Sequence, residues 1–114
     1  MNQRDVQRLT DIRAAIAAIH SHVQRGAITD GMVFDAVRIR LVEIGEAVKS
    51  ISPEVLAAEA SIPWAEIARM RDLLAHRYFD TSHAIVKGTV DNDLGELDAA
   101  VRRLLGEPDE RDAP

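Results

Sequence analysis

Four residues in one eight-residue run are of types that could do chemistry together: Arg71, Asp72, His76 and Tyr78, in Arg-Asp-Leu-Leu-Ala-His-Arg-Tyr. A guanidinium grips a phosphate through paired N–H donors and offsets charge as it develops. Histidine as a residue type exchanges protons near neutral pH. Those two groups suffice for metal-free RNA cleavage, in which a ribose 2′-hydroxyl attacks the adjacent phosphate. Asp72, one turn before His76, is placed to orient its ring. A structural arginine with a histidine capping a helix end is the plainer alternative on chemistry alone.

The element that must carry these groups is one helix from Trp64 to Tyr78. At 3.6 residues per turn, Trp64, Ile67, Met70, Leu74, Ala75 and Tyr78 make an apolar arc with Arg71 near its middle. Burying an unpaired guanidinium is costly, so Arg71 needs a partner, a wet cleft or a ligand. Five residues of helix set Arg71 and His76 about 140° apart. A shared site therefore needs the reach of Arg71, fraying at the helix end, or a two-fold dimer that brings a pair from each chain together.

Candidate partners come from the preceding helix. Val33, Val37, Leu41, Ile44, Val48 and Ile51 form its buried stripe, and Phe34, Ala36, Val42 and Ala47 widen it. A helix this broadly apolar contacts two neighbours, or a neighbour and a partner chain. Ile44-Gly45-Glu46-Ala47 sets small residues around a glutamate and allows close helix approach. Glu46 is thus a possible partner of Arg71, or else a surface residue paired with Lys49 or Ser50.

The remaining chain supplies the frame. Val6, Leu9, Ile12, Ile16, Ile19 and Val23 mark a first helix that stops at Gly26. Thr29 or Asp30 caps the second. Ser52-Pro53-Glu54 starts a short extra turn, and Ser61 or Pro63 opens the central helix. Residues 78–82 break the pattern. A last helix capped at Thr81 or Ser82 runs to Leu105, weakened by Gly88 and Gly95 and bent near Asp91-Asn92-Asp93. Gly106 stops it. The expected fold is all-α: an antiparallel four-helix bundle with one short extra helix over residues 1–106, then a disordered acidic tail, 107–114.

Composition narrows the function classes. In 114 residues there are no cysteines, so no disulfide framework or thiolate metal site exists. Neither a His-Glu-x-x-His zinc pattern nor a Gly-rich phosphate loop is present. A net charge of −5 argues against a surface that coats nucleic acid, though not against one local phosphate site. No 18-residue apolar run could span a bilayer and no apolar N-terminal run resembles a signal peptide, so the expectation is a cytoplasmic protein with no membrane association.

Arg71-Asp72-Leu-Leu-Ala-His76-Arg-Tyr78 resembles the Arg-x4-His-x-Tyr motif of HepT-like proteins, a branch of the HEPN superfamily. The similarity extends to Leu41–Glu54, which resembles the family's second helix and its Ser-Pro boundary. Pro63–Arg71 resembles the entry to the motif helix, and Asn92-Asp93-Leu94 with Leu97 the last helix. It covers nearly all of residues 4–105. Lys87 stands where the family often has Trp, and Gly95 where it often has Pro. The resemblance implies an all-α homodimer whose motif helices face a shared cleft. It implies a toxin acting as a metal-independent endoribonuclease without a cofactor. It also implies a partner antitoxin, a minimal nucleotidyltransferase that can transfer AMP from ATP onto the motif tyrosine. Carried over, Arg71 and His76 are catalytic, Asp72 assists, and Tyr78 is the AMP acceptor. The alternative within this reading is a non-catalytic binding subunit supporting a nucleotidyltransferase.

Overall fold

The computed structural model describes residues 1–76 and 79–107, and of residues 79–82 the backbone alone. Six helices follow one another among the described residues: α1 (Gln3–Arg25), α2 (Gly31–Lys49), α3 (Pro53–Ala57), α4 (Trp64–Ala75), α5 (Phe79–Asn92) and α6 (Leu94–Leu104). The protein is an all-α bundle. None of these helices is long and apolar enough to cross a membrane.

Local signals set most of the boundaries. Asn2 caps α1 by accepting from the Asp5 N–H at 2.8 Å. Of the two candidates for α2, Asp30 is the cap, accepting from Met32 and Val33 N–H groups. Pro53 occupies the first turn of α3, where its missing N–H costs nothing. Gly106 takes φ 80°, and the Gly106 and Glu107 amides donate back to Arg103 and Arg102 carbonyls, closing α6 with a Schellman motif.

The α2 helix is the hub. It packs against α1, α4 and α5, while α6 returns to α1. Leu9, Ile12 and Ile19 of α1, Val37, Leu41 and Ile44 of α2, and Leu74 of α4 are fully buried in one core with Val86 and Val101. The broad apolar surface of α2 is thus used within the chain, on three neighbours rather than two. Truncating any of these leucines to alanine is worth about 2–5 kcal/mol.

Three expectations change. The helix expected over 64–78 ends at Ala75, with His76 as its C-cap, and Ala75 lies exposed rather than on the apolar arc. The last helix is two: α5 ends at Asn92 and α6 begins after Asp93, whose φ −112° and ψ −25° kink the path while keeping it nearly helical. The start of α5 lies at Phe79 rather than at a Thr81 or Ser82 cap. No Gly or Pro stands between 79 and 87 to break it, and the weak helix formers there cost only tenths of a kcal/mol each. Of the tail expected as disordered, Glu107 is joined to Arg13 of α1 by an ion pair. Residues 108–114 lie outside the described residues.

One buried carboxylate was not anticipated. Asp5, 2% exposed, accepts from Ser52 N–H at 2.9 Å and Ser52 Oγ at 2.8 Å. It ties the start of α1 to the turn between α2 and α3. Those bonds, led by the Ser52 amide, hold its pKa below the ordinary 3.8 against the opposing effect of burial. A second tie joins the same region: Trp64 Nε1 donates to the Leu56 and Glu59 carbonyls, each at 3.0 Å.

Candidate active site

The site begins with a missing side chain. A Cβ on Gly45 would lie 2.7 Å from Arg71 Cβ and 3.0 Å from the Ile67 carbonyl oxygen. Only glycine lets α2 and α4 cross this closely. The crossing puts the residue after it, Glu46, within reach of Arg71. The arginine's stem therefore runs along the helix contact while its head emerges at the edge, leaving the side chain 36% exposed.

Charges alternate along that edge. Arg71 Nε donates to Glu46 Oε2 at 2.8 Å, and Arg71 Nη1 donates to Asp72 Oδ1 at 3.1 Å. Lys49 Nζ donates to the same Asp72 oxygen at 3.4 Å. Asp72 first and Glu46 second hold the guanidinium even more firmly protonated than usual. Reciprocally, Arg71 and then Lys49 push the Asp72 pKa below the ordinary aspartate value. Lys49 lies one helical turn from Glu46 but bonds across the crossing to Asp72 instead.

His76 takes its orientation from the backbone. Its Nδ1 lies 2.7 Å from the Asp72 carbonyl oxygen, which can only accept. Nδ1 therefore carries the proton, and in the neutral ring Nε2 keeps its lone pair. The expected carboxylate–imidazole pair is replaced by this contact because the Asp72 carboxylate points to Arg71 and Lys49. The same carbonyl also accepts the backbone N–H of His76, at 3.2 Å, in the last turn of the helix. Arg38 of α2 serves one of the carbonyls that the helix end leaves without an intrahelical partner, donating from Nη1 to the Leu74 carbonyl at 3.0 Å. Sequence reasoning missed Arg38, although a basic residue two turns before Gly45 on the same helix was a usable signal.

Asp72 thus touches both proposed working groups, through its carboxylate to Arg71 and its carbonyl to His76. Arg71 and His76 make no direct hydrogen bond to each other. Tyr78 lies outside the described residues. A cavity of about 410 Å³ flanks α4, lined mainly by apolar side chains including Ile67, Met70, Leu73, Ile85 and Leu97; Arg71, Asp72 and His76 are not part of it. Among the described residues no group of three or more His, Asp or Glu side chains is arranged to hold a metal ion.

Comparison with known proteins matches residues 12–104 to the family model "Ribonuclease HepT-like". The probable ribonuclease HepT of Thermococcus cleftensis is 34% identical over 100 residues, covering 84% of this chain and 91% of that protein. A protein of Methanocaldococcus jannaschii named "Putative RNase" is 33% identical over 93 residues, covering 69% of this chain and 77% of that one. Another of that name, from Caldanaerobacter subterraneus subsp. tengcongensis, is 40% identical over 62 residues, and the chain spans 55% of its length. No solved structure matches the chain significantly.

Proposed function

Because the chain belongs to the HepT-like ribonuclease family, we propose that it is a metal-independent endoribonuclease, the toxin half of a toxin–antitoxin pair. The observation that carries the reading is the pairing, through Asp72, of an arginine head with a histidine whose Nε2 is available for proton transfer. His76 Nε2 takes the proton from a ribose 2′-hydroxyl. Arg71 neutralises the charge that builds on the attacked phosphate. The leaving 5′-oxygen needs a proton in turn, and a second His76 supplies it. The lack of a direct bond between Arg71 and His76 favours a homodimer, in which each cleft draws on both chains. Leu73 of α4 and Ile39 of α2, both nearly half exposed, are apolar surface such a partner would cover.

Control falls to Tyr78. In this reading a cognate minimal nucleotidyltransferase transfers AMP from ATP to the Tyr78 hydroxyl, releasing pyrophosphate. The attached phosphodiester then pairs with Arg71 in place of RNA. The test is expression of the chain alone and with that partner. Expression alone arrests growth, Arg71→Ala or His76→Ala relieves the arrest, and co-expression relieves it with an AMP adduct at Tyr78. Arrest that persists in a folded Arg71→Ala/His76→Ala double variant overturns the nuclease assignment. An adduct at another residue overturns the mode of control.

A further inference from the structure

The guanidinium of Arg71 offers two forks for a phosphate, one from Nε and Nη2 and one from Nη1 and Nη2. Each fork already holds a carboxylate: Glu46 on Nε and Asp72 on Nη1. Nη2 donates to no described residue. A phosphate that binds bidentately must therefore displace one of the two. The two are not held alike. Asp72 is bonded to Lys49 as well as to Arg71 and sits beside Arg71 on the same helix. Glu46 belongs to the other helix, its side chain is 60% exposed, and Arg71 is its single partner among the described residues.

Charge points the same way. Glu46, Asp72, Arg71 and Lys49 sum to zero, on a chain of net charge −5. With Glu46 in place, an incoming phosphate meets no net attraction. Once Glu46 swings away, the three that remain carry one positive charge, enough for one phosphodiester.

Resting on the ribonuclease reading above, we propose that Glu46 is an exchangeable stand-in for the substrate phosphate. It occupies the Nε/Nη2 fork of Arg71 in the free protein and gives it up when RNA binds. Glu46 is then a positioning residue that holds the empty site closed to weakly binding anions, and Gly45 brings it into reach. No bond is made or broken in the exchange.

The test is binding of a 2′-O-methyl RNA oligonucleotide, which cannot be cleaved, followed by fluorescence anisotropy at fixed salt. Glu46→Gln keeps the shape and removes the charge. It should tighten binding about 2- to 5-fold, the size of an exposed ion pair. Glu43→Gln makes the same charge change three residues away, on a side chain that pairs with Arg40 and does not touch Arg71. It should leave affinity unchanged, and the gain from Glu46→Gln should vanish in an Arg71→Ala background. Weaker or unchanged binding by Glu46→Gln overturns the proposal, as does an equal gain from Glu43→Gln or a gain that survives loss of Arg71. Glu46→Ala, read the same way, covers the case in which the glutamine disturbs the crossing. If Arg71→Ala weakens binding but Glu46→Gln does not tighten it, the exchange alone fails. If Arg71→Ala leaves binding unchanged, the ribonuclease site fails with it.

Discussion

Asp5 and Asp72 are both aspartates with lowered pKa values, and they lie in regions built on opposite plans. Asp5 is buried and its oxygens are met by neutral donors of one residue, Ser52, across the start of the bundle. Nothing there can rearrange without leaving a buried carboxylate unsatisfied, which is costly. Asp72 is half exposed and pairs with two cations, Lys49 and Arg71, the second of which it shares with an exposed glutamate. Its partners can trade places at small cost, since exposed ion pairs are worth about 0–1 kcal/mol each. A satisfied buried charge fixes architecture, while an exposed chain of charges can be reset by a ligand. Lowered pKa alone does not distinguish the two; exposure and the kind of partner do.

The largest separation of the two regions should come from His76→Ala and Arg71→Ala. Each should lower RNA cleavage by at least about 100-fold, the loss expected for a general acid–base group or a charge-stabilising donor. The circular dichroism melt should barely move, because both side chains lie at the surface. A variant that loses its fold along with its activity would erase the contrast.

Gly45→Ala should couple the regions. The new Cβ forces α2 and α4 apart at Arg71 Cβ and the Ile67 carbonyl, costing about 1–3 kcal/mol of stability as overpacking does. Displacing Arg71 by a fraction of an ångström should cost about 10- to 100-fold in cleavage. Denaturant unfolding and a single-turnover assay measure the two effects on one sample.

Asp5→Asn should do the reverse, lowering Tm by several degrees with cleavage unchanged at temperatures where the chain stays folded. It should also change the response to acid. The folded-state pKa of Asp5 lies below 3.8, so the unfolded chain takes up this proton first as pH falls. The stability Asp5 contributes is complete above about pH 4 and is lost as pH drops through the folded value. Asp72 has the same sign, so the variant flattens the acid limb of the stability curve only in part. An unchanged acid limb would mean that Asp5 is not the tie described.

The smallest effect is expected at Asp72 itself. Asp72→Asn loosens Arg71 and frees Lys49, yet leaves the carbonyl that holds His76 Nδ1. Cleavage should fall only a few-fold. A loss as large as that of His76→Ala would show that the carboxylate, not the carbonyl, governs the imidazole.

The contrast also explains what could be read from the sequence. The helices were legible because apolar residues recur at helical spacing in α1, α2 and α4 and because Gly26, Asp30, Pro53 and Gly106 carry chemistry specific to helix ends. The approach of Glu46 to Arg71 was legible because a glycine beside a glutamate on one helix faced an arginine out of place on another. The link from Asp72 to His76 was misread, since i,i+4 spacing cannot say whether a side chain or a carbonyl does the bonding. Asp5 was invisible: its partner lies 47 residues away, and a charged residue in the first turn of a helix is ordinarily read as a response to the helix dipole. The kink at Asp93 showed itself through Gly88 and Gly95, but whether weak residues bend a helix or divide it depends on packing that the spacing does not contain.

The most direct test of the central claim is the chemistry of the cut ends. The purified chain is incubated with a defined RNA oligonucleotide in EDTA, and the products are weighed by mass spectrometry. The account predicts fragments ending in 2′,3′-cyclic phosphate, formed by the wild-type chain and lost in both Arg71→Ala and His76→Ala. Equal cleavage by the folded variants, or ends that carry no cyclic phosphate, would contradict it.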